Sequence, residues 1–193
     1  EKYPNDVAKI DAVVQAWNVY EAERRTLDDP QDLIRLLRGA GVLNFRITVE
    51  EPEVPNLAQM RDQLAKFGPR ASTSTDLRWY KINKLDGWIN SVESLNEYET
   101  TGPAAYFGKQ GYVVGDYKGE PYMLCWDVRD RRLTEDDGDW ALANAGPSAD
   151  QLGRPAIAFS MNPLGAEKLG KLTENNTGRK MAVLLDDEVY TAP

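Results

Sequence analysis

Residues 153–193 read GRPAIAFSMNPLGAEKLGKLTENNTGRKMAVLLDDEVYTAP, and the fold turns on how they are parsed. Residues 153–161 alternate, with Ile157, Phe159 and Met161 on one face and Ala158 and Ser160 on the other, the period of a strand. Asn162-Pro163 then opens a helix: Asn caps the free amides, and Pro at the first helical position has φ preset and no N–H to waste. Ala166, Leu169, Leu172 and Thr173 recur at helical spacing as a narrow apolar stripe. The helix runs out at Asn175-Asn176-Thr177-Gly178, where Gly suits a left-handed cap. Met181–Leu185 is a second apolar strand, Asp186-Asp187 a turn, and Glu188-Val189-Tyr190 a short return. Such a strand–helix–strand–turn unit buries one face of a sheet.

Working outward, Val7, Ile10, Val13, Val14, Trp17 and Tyr20 predict a helix over residues 6–27. Asp29-Pro30 starts another, with Leu33, Ile34, Leu36 and Leu37 as its buried face and Gly39 and Gly41 at its end. Residues 42–49, β-branched and alternating, are the clearest strand of the first half. Leu57, Met60, Leu64 and Phe67 predict a short amphipathic helix ending at Gly68-Pro69, and residues 77–82 a strand. Residues 112–115 and 122–126 read as a hairpin around residues 116–120. Residues 129–139 read as charged loop, and the Pro/Gly-punctuated residues 140–152 as a connection.

The closing stretch resembles the end of the first extracytoplasmic domain of the SecD family of protein-export subunits. The pattern is carried by Gly153, Pro155, Gly165, Ala166, Thr173, Asn176, Gly178, Arg179, Asp186, Val189, Ala192 and Pro193. The family often has Asp-Gly in the final turn, where this chain has Asp186-Asp187. Residues 27–47, LDDPQDLIRLLRGAGVLNFRI, are similar to a second family segment, in which a helix started by Asp-Pro leads into an L-x-F-R strand. The resemblance implies an α+β fold: a ferredoxin-like base from residues 1–50 and 153–193, with an α+β head inserted over residues 51–152. The base's first strand is not found in the sequence. Transmembrane helices are implied to flank this segment, which looks excised from a longer protein. Phe45, Leu36, Phe159, Leu169 and Val183 are expected in one core, with strands 42–49, 156–161 and 181–185 in one sheet.

Composition narrows the chemistry. At 41% apolar and 28% charged, the 193 residues are ordinary globular material. A net charge of −8 argues against a nucleic-acid backbone or an anionic lipid surface as main partner. There is no histidine, which removes His bases, Ser-His and Cys-His pairs and His-containing zinc sites. The single Cys125 lies in an apolar strand pattern and reads as a buried structural thiol. Residues 108–115, GKQGYVVG, have neither P-loop nor dinucleotide-fold spacing. Glu135-Asp136-Asp137-Gly138-Asp139 offers carboxylates to a hard cation but lacks EF-hand spacing, so a solvated loop is expected, with no metal and no cofactor. The sequon Asn175-Asn176-Thr177 reads better as a helix end than as a glycan site.

Ten aromatics fall between residues 77 and 126. Either they build the core of a small insert, or some stay exposed to hold extended polypeptide, since Tyr and Trp bind at low entropy cost. Trp79, Tyr80, Trp88, Tyr106, Phe107 and Tyr117 are the candidates for the second role. The resemblance implies a non-enzymatic domain on the periplasmic side of a bacterial inner-membrane protein. It would bind unfolded preprotein in transit and assist proton-gradient-driven export with the Sec channel and a SecF-like subunit. The alternative is a periplasmic carbohydrate-binding or hydrolytic domain, with convergent carboxylates or a row of exposed rings.

Overall fold

Period-two runs give the protein its strands, and the sheet then curls on itself. The computed structural model describes residues 41–71, 74–149 and 155–193. The helices expected over 6–27 and 30–38, with Leu36, lie outside the described residues, as does Gly153. In chain order the elements are β1 (Leu43–Ile47), α1 (Leu57–Phe67), β2 (Leu77–Ile82), α2 (Val92–Thr101), α3 (Pro103–Lys109), β3 (Val114–Tyr117), β4 (Glu120–Trp126), β5 (Arg132–Leu133), β6 (Leu142–Ala149), β7 (Pro155–Met161), α4 (Pro163–Asn175), β8 (Met181–Leu185) and β9 (Glu188–Thr191). The fold is α+β. A mixed seven-stranded sheet runs β3-β4-β2-β9-β8-β1-β5, and β6 and β7 form a separate two-stranded ribbon.

The large sheet closes. Leu124 of β4 takes the Val113 carbonyl on its N–H (2.8 Å) and gives its own carbonyl to Val49 N–H (3.2 Å), so both neighbours lie on one side of β4. The other side is paired to β2, Arg78 facing Cys125. Thr48, just past β1, bridges that same Cys125. The circuit β4-β2-β9-β8-β1 therefore returns to β4 as a five-stranded ring. Tyr80, Ile82, Met123, Cys125, Ala182, Leu184 and Val189 fill it, and Tyr106 and Phe107 of α3 pack into the same cluster.

A second cluster lies outside the ring, where Leu57, Met60 and Leu64 of α1 cover Leu77, Trp79, Val113 and Leu124. Gly115 permits this approach, since a Cβ there would sit 2.7 Å from Leu64 Cδ2. Phe67, expected on the buried face of that helix, is 69% exposed, because α1 ends one residue later at Gly68. A third cluster joins Phe45, Ile47, Leu133 and Leu172, with Leu169, Met181 and Val183 packed partly buried against it.

Three expectations are corrected. The strand at 155–161 does not share a sheet with β1 and β8; it pairs with β6, Ala145 facing Phe159. Residues 142–149, read as a connection, are a strand despite Gly146-Pro147, which an unpaired outer edge tolerates. Phe159 is 43% exposed and reaches the third cluster only through its ring, 5.9 Å from that of Phe45. Smaller differences follow the same logic. Arg132-Leu133, inside the expected charged loop, pairs with β1, and two short helices meet at Gly102. The seven-stranded sheet also takes strands from both sides of the expected boundary at 50/51.

Candidate functional site

Burial decides the role of the aromatic residues. Phe107 is 0% exposed, Tyr80 3%, Trp79 4% and Tyr106 5%, while Trp88 and Tyr117 are half-buried. Trp88 meets Phe107 and Tyr112 edge-on at 5.6 and 5.7 Å, and Tyr106 meets Phe107 at 5.3 Å, the favoured geometry of packed rings. Tyr106 Oη donates to the Trp88 carbonyl at 3.2 Å. Tyr117 pairs with Tyr122 at 6.2 Å. None of the ten aromatics between residues 77 and 126 is fully exposed. They build the core; burial takes the rings of Trp79, Tyr80, Tyr106 and Phe107 out of reach of a partner in this structure.

The exposed apolar side chains are others: Val92 (70%), Phe67 (69%), Leu95, Phe159 and Leu164. Sequence reading placed Phe67 and Phe159 on buried faces and passed over Val92, Leu95 and Leu164. Val92 and Leu95 lie three residues apart on α2, hence on one face, in a helix too polar to show a stripe. Their position just after the Ser91 cap, whose Oγ accepts from Ser94 N–H at 3.1 Å, was the available signal.

The family-motif residues prove to be joints. Gly165 sits where a Cβ would be 3.0 Å from Asn162 Oδ1 and Met161 Cβ, and its N–H donates to that Oδ1 at 2.8 Å, closing the start of α4. Asn176, 7% exposed, donates its amide to the Leu172 and Asp130 carbonyls at 2.8 and 3.1 Å, so the sequon segment serves as a helix end. Gly178 has φ +81°. Asp186 accepts the Val42 N–H at 2.9 Å, tying the β8–β9 turn to β1. Asp186 and Asp187 have φ of 50° and 63°, so the two-residue turn is of the primed kind that Asp-Gly serves with less strain. Val189 and Ala192 are buried, and the Ala192 carbonyl accepts from Tyr112 Oη.

Arg179 donates to Glu53 Oε1 at 2.7 Å, and Arg131 to the same oxygen at 3.2 Å. Burial alone would raise the Glu53 pKa; the hydrogen bonds from Arg179, the Glu50 amide and Arg131 outweigh it and hold it at about 2. A second ionic group closes one end of the ring. Asp127, 8% exposed, binds Arg46 and Arg132 and lies 3.4 Å from Arg78 Nε. Its pKa is lowered, burial opposing and the arginines prevailing. Arg46 also stacks 4.6 Å from the centre of the Tyr80 ring.

Cys125 is fully buried and its thiol is pushed up to about 12, unsuited to nucleophilic chemistry. In the acidic loop, Asp137 accepts from Thr134 N–H at 2.8 Å and Oγ1 at 2.9 Å as a cap. Among the described residues no group of three or more Cys, Asp or Glu side chains is placed to hold a metal, and no helix is long and apolar enough to cross a membrane.

This chain is 46% identical to the protein translocase subunit SecD of Anaeromyxobacter dehalogenans over 219 aligned positions, covering 97% of this chain. The chain belongs to the SecD family. It spans only 34% of that relative's length. The SecD of Aquifex aeolicus is 35% identical over 69% of this chain and 29% of its own length. Residues 129–193 match the model of the SecDF P1 head subdomain. That match crosses the expected boundary at 152/153. A crystal structure of SecDF in a super-membrane-facing form is a distant likeness, at 22% identity and a TM-score of 0.37, over 86% of this chain and 16% of that one.

Proposed function

We propose that this SecD segment holds unfolded preprotein on the extracytoplasmic side of the bacterial inner membrane and assists proton-gradient-driven export. Its partners there are the Sec channel and a SecF-like subunit, and membrane attachment comes from segments beyond this one. The single observation that carries the reading is the 46% identity along 97% of the chain to a protein translocase subunit. Exposed apolar side chains support a place for that contact. A client in transit is of any sequence, so its receptor offers apolar side chains to solvent rather than a shaped pocket. Phe67, Val92, Leu95 and Phe159 do this on a chain of net charge −8.

The role is one of binding, without turnover. The rival reading, a carbohydrate-binding face, needs an exposed row of Trp and Tyr, and the rings of residues 77–126 are buried or half-buried. For a ferredoxin-like base, the support is that β1, β8 and β9 are neighbours, with α4 leading into β8; β7 and the strands of residues 51–152 do not fit it. From the division into base and head we retain only the proposal that much of the client contact falls within residues 51–152.

The test is photocrosslinking in the intact translocon, with the crosslinker placed in turn at Phe67, Val92, Leu95 and Phe159, and at buried Phe107 as control. A stalled preprotein should be captured from the exposed positions and not from Phe107. Capture from none of the four would overturn the reading.

A further inference from the structure

β2 is paired along its whole length on one side only. Against β4 it runs in register from Leu77↔Trp126 to Lys81↔Tyr122. Against β9 it pairs only at Lys81↔Glu188 and Ile82↔Val189, because β9 starts after the Asp186-Asp187 turn. Among the described residues no strand lies against the other edge of Leu77–Tyr80. Asn83 N–H points to β9, donating to the Val189 carbonyl at 2.9 Å. By alternation along the strand, the N–H and C=O of Leu77 and Trp79 point the same way, into the gap.

That gap is a cleft of about 380 Å³, and Leu77, Arg78, Trp79, Tyr80 and Lys81 all line it. Side chains of consecutive strand residues alternate faces, so what five in a row share is their backbone edge. The wall is cationic, with Arg70, Arg78 and Lys81 against Asp187, in a chain of net charge −8. Lys81 pairs with Glu120 at 3.2 Å and Arg78 with Asp127 at 3.4 Å, while Arg70 has no ion pair among the described residues. Behind the strand, Asp127 is the one carboxylate shared by Arg46, Arg78 and Arg132. The Nε atoms of Arg46 and Arg132 and the hydroxyl of Tyr80, itself 3% exposed, have no hydrogen-bond partner among the described residues.

We propose that an extended polypeptide bearing a carboxylate side chain adds here as a strand, its backbone on Leu77 and Trp79 and its carboxylate on Arg78 and Arg70. Backbone pairing at a sheet edge ignores sequence, and a guanidinium recognises carboxylate by charge and hydrogen bonding together. Four residues, Leu77–Tyr80, extend about 13 Å, enough for a short grip that releases readily. This inference rests on the client-holding role above and names the chemistry of one contact within it.

The experiment uses the 193-residue chain with two unstructured peptides of about ten residues that differ only in one central Glu or Gln. Fluorescence anisotropy gives the affinities, and residue-resolved hydrogen exchange locates the contact. The Glu peptide should bind at least fivefold tighter. At saturation it should slow exchange at the Leu77 and Trp79 amides about tenfold, as new strand pairing does. Arg78→Gln, at a side chain 58% exposed and so replaceable without unfolding, should erase the Glu preference. Equal affinities, protection confined to other segments, or a preference that survives Arg78→Gln combined with Arg70→Gln would overturn the proposal. If vesicles containing phosphatidylglycerol protected Leu77 and Trp79 and the Glu peptide did not, the cleft would be a lipid-headgroup site and the proposal would fall. Failure of the slot is separable from failure of the role: crosslinks from Phe67, Val92, Leu95 or Phe159 would leave client holding standing without it.

Discussion

The ring and the β6–β7 ribbon are both antiparallel in large part, yet their strands are made of different material. Ring strands carry Phe45, Tyr80, Met123, Leu124 and Leu184, all buried, and their ends are locked by ion pairs at Asp127 and Glu53. Ribbon strands read LANAGPSA and PAIAFSM, without one charged residue, and among the described residues Ala145 is the one ribbon residue in the buried core. A two-stranded ribbon is marginal by itself, since each strand has one partner and little apolar area to bury. The ring has no such limit. Closure gives each ring strand a second neighbour, over part of its length in β2, and a buried apolar interior. The difference implies that stability resides in the ring and that the ribbon is the part free to deform.

Substitutions should separate the two. Phe107→Ala, in the aromatic cap of the ring, should cost about 3–5 kcal/mol in a denaturant melt, the usual range for emptying a filled core site. Phe159→Ala in the ribbon should cost less than about 1 kcal/mol, as its ring is 43% exposed. Equal losses would abolish the contrast. Asp127→Asn should cost about 2–4 kcal/mol, because it leaves three guanidinium groups without their shared counter-charge.

Acid should act on the ring through Glu53. Its folded pKa of about 2 lies below the ordinary 4.5, so its contribution is complete above pH 4.5 and is lost as pH falls from there towards 2. Glu53→Gln should flatten that limb of the stability curve, by about 1 kcal/mol after allowance for solvent screening. An unchanged acid limb would place the sensitivity elsewhere. The smallest effect expected is a gain: Asp187→Gly should stabilise the β8–β9 turn by about 0.5–1 kcal/mol, since Asp187 stands at φ 63°.

How much of this was legible depended on where the information sits. Alternation within a strand is local, so β1, β2, β4 and β8 could be read directly, as could the Asn162-Pro163 start of α4. Partner choice is not local. Nothing in Ile157-Ala158-Phe159 says that β7 prefers β6 to β1, and Gly146-Pro147 disguised β6 as a connection. Closure through Thr48 and Cys125 joins residues 77 positions apart and left no mark on either segment. The aromatics announced a core but not its surface complement; Val92 and Leu95 are exposed because α2 offers only half-buried Tyr98 to the core. The family motifs were visible as spacing, while their work as joints, Arg179 on Glu53 and Asp186 on Val42, needed coordinates.

Residue-resolved hydrogen exchange on the free chain tests the contrast most directly. Amides of β1, β4 and β8 should exchange only through global unfolding, whereas those of β6 and β7 should exchange by local opening at least about a hundredfold faster. Equal protection in ring and ribbon would contradict the account, because it would make the ribbon part of the same cooperative unit.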